Sequence, residues 1–157
     1  MKQILLNWKQ IETACRKLSE KISKNRYDAV VCIANGGLVP GRLFSEYLNV
    51  PLGIVVAKRY NRKNKAKKFF AMDSKILWCG KKPKTKRILI VDDIIDEGIT
   101  ARTIADRLKK KLKPKRLDIA ALFCKPKKTK ANLADYTVFY YKKTKDWIVF
   151  PWETQPV

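Results

Sequence analysis

The chain has 157 residues, which suits one domain with a hydrophobic core, and 46% of them are hydrophobic, which excludes a disordered polycation. It contains 36 Lys and Arg but only 14 Asp and Glu, and with no His its net charge is +22. Without histidine, any acid–base chemistry falls to Asp, Glu, Lys or Tyr. No apolar run approaches the ~20 residues of a membrane span, and the N-terminus lacks a signal-peptide core. We therefore expect a cytoplasmic location and no membrane partner.

The cysteines and the excess of cations bear on which metals and partners the protein can bind. Cys15, Cys32, Cys79 and Cys124 are far apart in sequence, and without histidine they do not suggest a zinc site. Cys32 and Cys124 lie in apolar runs, so we expect buried, reduced thiols there. The net charge is compatible with nucleic-acid binding, with an anionic small substrate, or with a lysine-rich solvated surface. We favour the solvated surface, and nucleic acid remains an alternative.

Along the chain, helical patterns alternate with short apolar runs that are typical of strands buried on both faces. We expect a helix at 11–24, a strand at 28–34, a turn at 35–37, a helix at 38–48, strands at 52–60, 75–79 and 87–91, a helix at 99–112, a strand at 117–124 and an outer strand at 136–141. The segment 62–68 is the best loop candidate, and 146–157 fits neither helix nor strand. This alternation predicts an α/β domain with a mainly parallel sheet flanked by helices.

The stretch ILIVDDIIDEGIT, residues 88–100, holds four of the 14 acids. We expect Asp92 and Asp93 at the end of a buried strand, the edge where parallel sheets bind ligands. Carboxylates there accept hydrogen bonds from hydroxyl groups and attract divalent cations. The following loop, which enters a helix, can cradle a phosphate with its backbone N–H groups and the Thr100 hydroxyl. Together these features predict a sugar-phosphate site, whereas the simpler alternative is that the acids only cap a helix.

ILIVDDIIDEGIT resembles the phosphoribosyl-pyrophosphate (PRPP) binding signature of the type I phosphoribosyltransferases. CIANGGLVPGRLFSEYL resembles the pyrophosphate loop and helix of the purine members, and CKPKK and WIVFPWE resemble the purine-binding hood of the xanthine-guanine members. The resemblance extends in order from about residue 28 to residue 153. It implies a type I phosphoribosyltransferase fold in one domain, 1–157, with residues 125–157 contributing to the hood. The implied activity is transfer of the phosphoribosyl group of PRPP to a 6-oxopurine, with release of pyrophosphate.

The resemblance also implies which residues contact PRPP. These are Asp92 and Asp93 for the ribose hydroxyls, Asp96, Glu97, Gly98, Ile99 and Thr100 for the 5-phosphate, Asn35, Gly36 and Gly37 for pyrophosphate, and Lys58, Arg59 and Tyr60 at the start of a loop that covers the substrate. Two positions depart from the family pattern. Glu97 stands where Thr or Ser is usual, so we expect its side chain to point away from the phosphate. Asn35 stands where relatives carry Arg or Lys, and Lys58 and Arg59 could compensate for the missing charge.

For the purine, the resemblance implies that Lys125 donates to the 6-oxo group, that Trp147 stacks on the base, that the Ile148 backbone meets its edge, and that Glu153 lies near the 2-substituent. Trp152 is expected to be a packing residue. Asp96 is the implied catalytic acid–base group at purine N7. The cofactor is Mg²⁺, associated with Asp92, Asp93 and Glu153 through water or substrate.

One further expectation and two alternative functions follow from the resemblance. Small relatives form dimers or tetramers, so we expect a homodimer or homotetramer. One alternative function is a regulator of this fold that binds RNA and senses nucleotides in the same pocket. A second is an enzyme that uses adenine or a pyrimidine, against which Lys125 and the WIVFPWE segment argue.

Overall fold

The structure is a computed structural model, and it describes residues 2–60, 69–72, 75–125 and 132–153. Within these ranges, the side chains of residues 58–60 and 69–72 are not described. The predicted loop at 62–68 therefore lies outside the described residues.

The described elements are three α-helices, one 3₁₀ turn and nine strands, and most of them coincide with the apolar patterns of the sequence. In chain order they are β1 (Gln3–Leu5), α1 (Trp8–Ile22), a 3₁₀ turn (Ser23–Asn25), β2 (Ala29–Ala34), α2 (Leu38–Leu48), β3 (Leu52–Tyr60), β4 (Phe69–Met72), β5 (Leu77–Trp78), β6 (Arg87–Ile95), α3 (Ile99–Leu112), β7 (Arg116–Cys124), β8 (Thr137–Lys143) and β9 (Trp147–Val149). None of the described helices is long and apolar enough to cross a membrane.

The main sheet has the strand order β4-β3-β2-β6-β7-β8, and β5 pairs with β3 at the same edge. The neighbours from β3 to β8 are parallel, whereas β4 and β5 pair antiparallel with β3. From β2 the chain moves outward to β3, and from β6 it moves the opposite way to β7 and β8. The order therefore reverses between β2 and β6, and in an open parallel sheet a crevice forms at such a point beyond the carboxyl ends of the strands.

Both faces of the central strands are buried, which explains their continuous apolar sequences. Val30 and Cys32 of β2 pack into a core with α1 and α2, whereas Val31 and Ile33 pack into a second core with α3. Successive strand residues point to opposite faces, so covering both faces requires apolar residues at every position. The two cores fix β2 and β6 side by side and so place the loops that follow them next to each other.

The structure corrects two predictions. β6 does not end at Val91 but continues to Ile95, because it pairs with β7 up to Cys124. Asp92 and Asp93 therefore lie within β6 and not in the loop that follows it. The segment 146–157 was expected to be irregular, but Trp147–Val149 forms β9, which pairs in parallel with β1. The short strands β1 and β4 were also absent from the predicted elements.

Candidate active site

Two loops meet at the point where the strand order reverses. One is the turn 35–37 that follows β2, and the other is the turn 96–98 that follows β6. The pairing of β2 with β6 ends at Cys32 and Val91, so beyond this pair the last residues of β6 are free of β2. This opening at the carboxyl edge is the candidate site.

The turn after β2 lies directly against the carboxylate of Asp93. The peptide between Ala34 and Asn35 is cis. A Cβ atom placed on Gly36 would be 2.4 Å from Asp93 Oδ2, and one placed on Gly37 would be 2.6 Å from the carbonyl oxygens of Ile33 and Val91. No side chain fits at either position without moving its neighbours. The glycines therefore allow the turn to pack against Asp93 and the ends of β2 and β6, and its approach to a ligand stays a prediction.

Asp92 and Asp93 form a closely coupled acidic pair. Asp92 Oδ1 accepts the Asp93 N–H at 3.0 Å, and Asp93 Oδ1 accepts the Ile94 N–H at 2.6 Å. Removal from water raises the pKa of Asp92 well above its ordinary value, and the negative charge of Asp93 raises it further. Burial also raises the pKa of Asp93 to about 6, and the charge of Glu153 contributes to the increase. Both carboxylates therefore favour a ligand or cation that stabilises their ionised forms.

The turn after β6 forms a small concavity. It has a volume of about 140 Å³ and is lined by Asp92, Ile94, Ile95, Asp96, Glu97, Gly98, Ile99, Thr100 and Ala101. Gly98 has φ +79° and immediately precedes α3, a left-handed backbone that glycine adopts without strain. The first N–H groups of a helix have no intrahelical partner and carry the positive end of its dipole. The concavity therefore has the size and the donors to hold a phosphate group.

Residues from a distant part of the chain support this turn. Asn132 Nδ2 donates to the carbonyl oxygen of Glu97 at 2.6 Å, and Leu133, which is buried, lies where a Cβ on Gly98 would contact its side chain at 3.0 Å. Arg102 on α3 donates to the carbonyl oxygen of Asn132 at 2.9 Å and also to Asp135 at 2.9 Å. The segment 132–135 and the first turns of α3 thus hold the phosphate-sized concavity from behind. The sequence patterns did not indicate these supports.

Beside the concavity, Lys125 connects the turn to the predicted purine residues. Its backbone N–H donates to the carbonyl oxygen of Ile95 at 2.9 Å. Its Nζ lies 3.5 Å from Asp96 Oδ2 and 6.0 Å from the centre of the Trp147 ring. A cation near the face of an aromatic ring is attracted by the ring's quadrupole. Asp96, Lys125 and Trp147, which the sequence assigned separately to catalysis and to purine binding, therefore lie together at one side of the site.

The hood is built from both ends of the chain. In β9, Trp147 is 56% exposed whereas Ile148 is buried, and these residues pair with Gln3 and Ile4 of β1. The Trp147 N–H also donates to the carbonyl oxygen of Lys2, the residue before β1, at 2.9 Å. An exposed indole on a strand held by β1 is available for stacking on a planar ligand.

The end of the hood turns back toward the acidic pair. Glu153 Oε2 accepts the Phe150 N–H at 2.9 Å, and the Glu153 N–H donates to the Phe150 carbonyl oxygen at 3.0 Å. Trp152 stacks on Phe150 with ring centres 4.7 Å apart and lies 5.9 Å from Trp8. This packing confirms the expectation for Trp152. The negative charge of Glu153 contributes to the raised pKa of Asp93.

Lys58, Arg59 and Tyr60 are the last residues of β3, and their side chains are outside the described part of the structure. Their backbone pairs antiparallel with β4, and it continues beyond Val56, the last β3 residue that pairs with β2. β3 therefore extends past the turn at 35–37 at the carboxyl edge of the sheet. The roles of these three residues and the direction of the Glu97 side chain stay predictions.

A divalent cation fits the acidic pair only if a ligand completes its coordination. In the ranges that the structure describes, no three His, Cys, Asp or Glu side chains form a metal-binding cluster. Two adjacent carboxylates with raised pKa values nevertheless suit Mg²⁺, which is commonly held by one or two carboxylates together with substrate phosphates and water. The residues present therefore fit a cation that arrives with its substrate.

Comparison with known proteins identifies the class of this site. Residues 2–156 match the phosphoribosyl transferase domain family. The chain is 28% identical to a xanthine-guanine phosphoribosyltransferase of Vibrio parahaemolyticus over 156 residues, which is 97% of this chain and 90% of that protein. The crystal structure of a purine phosphoribosyltransferase from Pyrococcus horikoshii is 34% identical, with a TM-score of 0.80 over 100% of this chain and 97% of that one. A xanthine-guanine-hypoxanthine phosphoribosyltransferase of Helicobacter pylori shares the fold, with 22% identity and a TM-score of 0.77 over 97% and 94% of the two chains.

The chain belongs to the phosphoribosyl transferase family, and it is an enzyme of this type. Within the family it is similar to the purine phosphoribosyltransferases, which confirms the resemblance inferred from residues 88–100 and the hood. The fold prediction, a mainly parallel sheet flanked by helices, is likewise confirmed.

Proposed function

We propose that this enzyme transfers the phosphoribosyl group of PRPP to the 6-oxopurine bases hypoxanthine, guanine or xanthine. In this reaction a purine ring nitrogen forms a bond to C1 of the ribose, the bond from C1 to the pyrophosphate oxygen breaks, and the purine loses a proton. The products are a nucleoside monophosphate and pyrophosphate. One observation carries the proposal: a phosphate-sized concavity, a buried acidic pair and the Asp96–Lys125–Trp147 group are adjacent at one edge of the sheet.

The binding of PRPP follows from the two turns. The concavity after β6 would hold the 5-phosphate through backbone N–H groups and the Thr100 hydroxyl. Asp92 and Asp93 would accept hydrogen bonds from the ribose hydroxyls. The turn 35–37, whose glycines let it pack against Asp93, would face the pyrophosphate. Held in this way, the ribose is fixed between its two phosphate ends, and this positioning contributes much of the rate enhancement.

Asp96 and Lys125 would divide the work at the purine. Asp96 is exposed at the site, so it can reach a ring nitrogen and accept the proton that the purine loses. Lys125 Nζ carries only donors, and it can hydrogen-bond to a 6-oxo oxygen but not to the 6-amino group of adenine. Trp147 offers the exposed ring face on which the base stacks.

We propose Mg²⁺ as the cofactor, held by Asp92 and Asp93, with Glu153 acting through water or substrate. When bound, the cation would neutralise charge on the departing pyrophosphate. The raised pKa values of the pair support this assignment, because ionising two neighbouring carboxylates is unfavourable without a cation or hydroxyl donors.

The test is pyrophosphate release from PRPP and Mg²⁺ with hypoxanthine, guanine, xanthine and adenine. We expect turnover with at least one 6-oxopurine and little with adenine. A Lys125→Leu variant should lose activity on the 6-oxopurine and should no longer prefer it over adenine. The control Lys142→Leu, a change of the same type on the outer strand β8, should behave like the wild type. Turnover with adenine alone, or with none of the four bases, would contradict the proposal.

We also propose a cytoplasmic location and a homodimer or homotetramer. Four free cysteines, three of them buried, are compatible with a reducing compartment. A groove between α1 and α2 exposes Trp8, Leu38 and Tyr47, and apolar surface of this kind is typical of an interface. Light scattering during gel filtration would determine the assembly, and a monomer at micromolar concentration would contradict it.

A further inference from the structure

The end of the main sheet opposite to the active site is lined with cations. Three loops lie there, each leading into one of the adjacent strands β2, β6 and β7. They carry a group that we call the basic rim: Lys24, Arg26, Lys84, Lys86, Arg87, Lys113, Lys115 and Arg116. All members are exposed except Arg116, which is partly exposed. Because these loops precede the strands whose carboxyl ends form the active site, the basic rim is separated from that site by the length of the sheet.

The strand register brings these cations into rows. Of the three Lys-Pro-Lys sequences in the chain, two lie in the rim, at 82–84 before β6 and at 113–115 before β7. Within three residues each is followed by an arginine that begins the strand. These arginines, Arg87 and Arg116, are direct partners in the parallel ladder, and the Arg116 N–H donates to Lys86 at 3.1 Å. Neighbouring strands are about 4.8 Å apart. Like charges at such neighbouring positions repel each other, and the ion pair of Arg116 with Asp118 offsets part of this repulsion.

The third loop joins the same row. The Asp28 N–H donates to the carbonyl oxygen of Arg87 at 2.8 Å, and Arg87 Nη1 donates to the carbonyl oxygen of Asn25 at 3.4 Å. Lys24 and Arg26, which flank Asn25, are therefore held beside the start of β6. The rim is thus one continuous surface across three strands and not three separate charged loops.

Few acids neutralise this surface. The Asp28 carboxylate accepts the backbone N–H of Arg87, and the buried Asp118 carboxylate binds Tyr27 and Arg116. Among the residues that the structure describes, the ion pairs do not include Lys84, Lys86, Lys113 or Lys115. The rim therefore keeps a large excess of positive charge.

The backbone gives a second, independent indication. Arg26 has φ 50° and Lys113 has φ 46°, left-handed conformations in which glycine or asparagine is usual. The third described residue of this kind outside glycine is Asn49, which follows that usual preference. Two of these three described residues are therefore cations, and both of them lie in the basic rim.

We propose that the basic rim binds the phosphodiester backbone of a nucleic acid. A continuous surface of cations across three adjacent strands matches a polymer of phosphates, and such binding is driven by the release of counterions. An anionic membrane fits less well, because the exposed large apolar side chains of the described residues, which would anchor a protein in lipid, all lie outside the rim loops. The inference does not depend on the proposed substrate, since the rim and the active site are at opposite edges of the sheet.

The experiment compares two variants of equal charge. The rim variant combines Lys84→Gln, Lys86→Gln and Lys115→Gln, and the control variant combines Lys9→Gln, Lys17→Gln and Lys142→Gln on α1 and β8. Each lowers the net charge from +22 by three. Binding of fluorescein-labelled single-stranded RNA of ~20 nucleotides, and of DNA of the same sequence, would be followed by fluorescence anisotropy at several KCl concentrations.

We expect the rim variant to bind about tenfold more weakly than the wild type near 0.1 M salt, with a salt slope smaller by about 2, since each neutralised phosphate of a single strand contributes about 0.7. The control variant should bind within about twofold of the wild type. A loss confined to the rim variant, on RNA, on DNA or on both, supports the proposal and identifies the polymer. If the triple change impairs folding, Lys86→Gln and Lys115→Gln alone should each weaken binding more than Lys17→Gln.

Three results would overturn the proposal. The first is equal weakening by the rim and control variants, which would indicate attraction by net charge alone. The second is the absence of nucleic-acid binding by the wild type at low salt. The third is binding to vesicles of phosphatidylserine and phosphatidylcholine without binding to either nucleic acid.

Discussion

The two edges of the main sheet have opposite chemistry although the same strands form both. At the carboxyl edge, β6 carries Asp92 and Asp93 near its end, and the turn that follows adds Asp96 and Glu97, so four of the 14 acids of the chain lie here. At the amino edge, β6 begins at Arg87, next to Arg116 of β7. The net charge of +22 therefore does not show how charge is distributed between the two edges. It is the distribution of charge along single strands that separates a site for a substrate from a surface for a polyanion.

The edges also differ in how their backbones are used. At the carboxyl edge, Gly36 and Gly98 occupy the positions where a side chain would collide or where φ is positive. At the amino edge, Arg26 and Lys113 occupy left-handed positions in spite of the strain. Glycine at the first edge lets the turns pack closely against Asp93 and Leu133, whereas the cations at the second edge keep their charge at the surface. The following predictions test this contrast, from the largest expected effect to the smallest.

The largest effect should come from Asp96→Asn. Loss of a general acid–base group typically lowers kcat by about 10²–10⁴-fold. An asparagine has the same size and can still contact Lys125, so we expect KM for PRPP to change little. Steady-state pyrophosphate release measures both constants. The matched control is Asp28→Asn at the amino edge, which should leave kcat unchanged. Equal effects of the two substitutions would remove Asp96 from the chemistry.

Gly36→Ala should weaken PRPP binding by about 10–100-fold, the equivalent of roughly 1.4–2.7 kcal/mol. The new Cβ would lie 2.4 Å from Asp93 Oδ2, so the carboxylate or the turn must move. Gly80→Ala provides the comparison, because Gly80 has open space around it but φ +107°. That variant should lose folding stability and keep its KM for PRPP. A Gly36→Ala protein with normal KM would show that this turn does not approach the substrate.

Asn132→Ala should raise KM for PRPP by about 5–50-fold with a smaller change in kcat. The substitution removes the donor to the Glu97 carbonyl oxygen, and leaving such an acceptor unpaired costs about 1–3 kcal/mol. Asn132→Asp, which keeps the size but offers no donor, should be no better. Asn25→Ala removes a hydrogen bond to Tyr27 at the amino edge and should not change KM. A uniform loss of stability without any change in KM would limit Asn132 to a purely structural role.

The smallest effect is a dependence of stability on pH. Burial raises the pKa of Asp93 to about 6 and that of Asp92 above its ordinary value, so the folded protein keeps protons that the unfolded chain has released. The contribution of Asp93 to the free energy of unfolding is therefore largest below about pH 4 and decreases as the pH rises through about 6, and Asp92 acts in the same direction. Urea unfolding of the wild type and of Asp92→Asn/Asp93→Asn measures the difference. If the two proteins show the same pH dependence between pH 4 and 7, the carboxylates titrate normally.

The central elements could be predicted from sequence because their environment is simple. β2, β6 and β7 are buried on both faces, so their apolar runs 29–34, 88–91 and 119–124 are visible by themselves. The helices α2 and α3 coincide with their predicted ranges. By contrast, β1 and β9 are three residues each and exist because they pair across the whole length of the chain. No local pattern encodes such a pairing, and β4 likewise depends on β3.

The candidate site shows the same division. Asp92, Asp93 and the turn 96–100 were recognisable because they come within a few residues of the apolar run 88–91. The proximity of Lys125 and Trp147 to Asp96 rests on contacts between three elements and needed the structure. Asn132 carries no sequence signal, since its role comes from a single hydrogen bond to a carbonyl oxygen 35 positions away. The extension of β6 to Ile95 was missed because Asp92 and Asp93 interrupt its apolar pattern.

The most direct test of the contrast between the two edges is equilibrium binding of PRPP with Mg²⁺, measured by calorimetry. The wild type would be compared with Asp92→Asn/Asp93→Asn at the carboxyl edge and with the rim variant Lys84→Gln/Lys86→Gln/Lys115→Gln at the amino edge. We predict at least a 100-fold loss of affinity, or about 2.7 kcal/mol, for the acidic-pair variant and normal affinity for the rim variant. Undiminished PRPP binding by the acidic-pair variant, or a comparable loss in the rim variant, would contradict the assignment of the substrate site to the carboxyl edge.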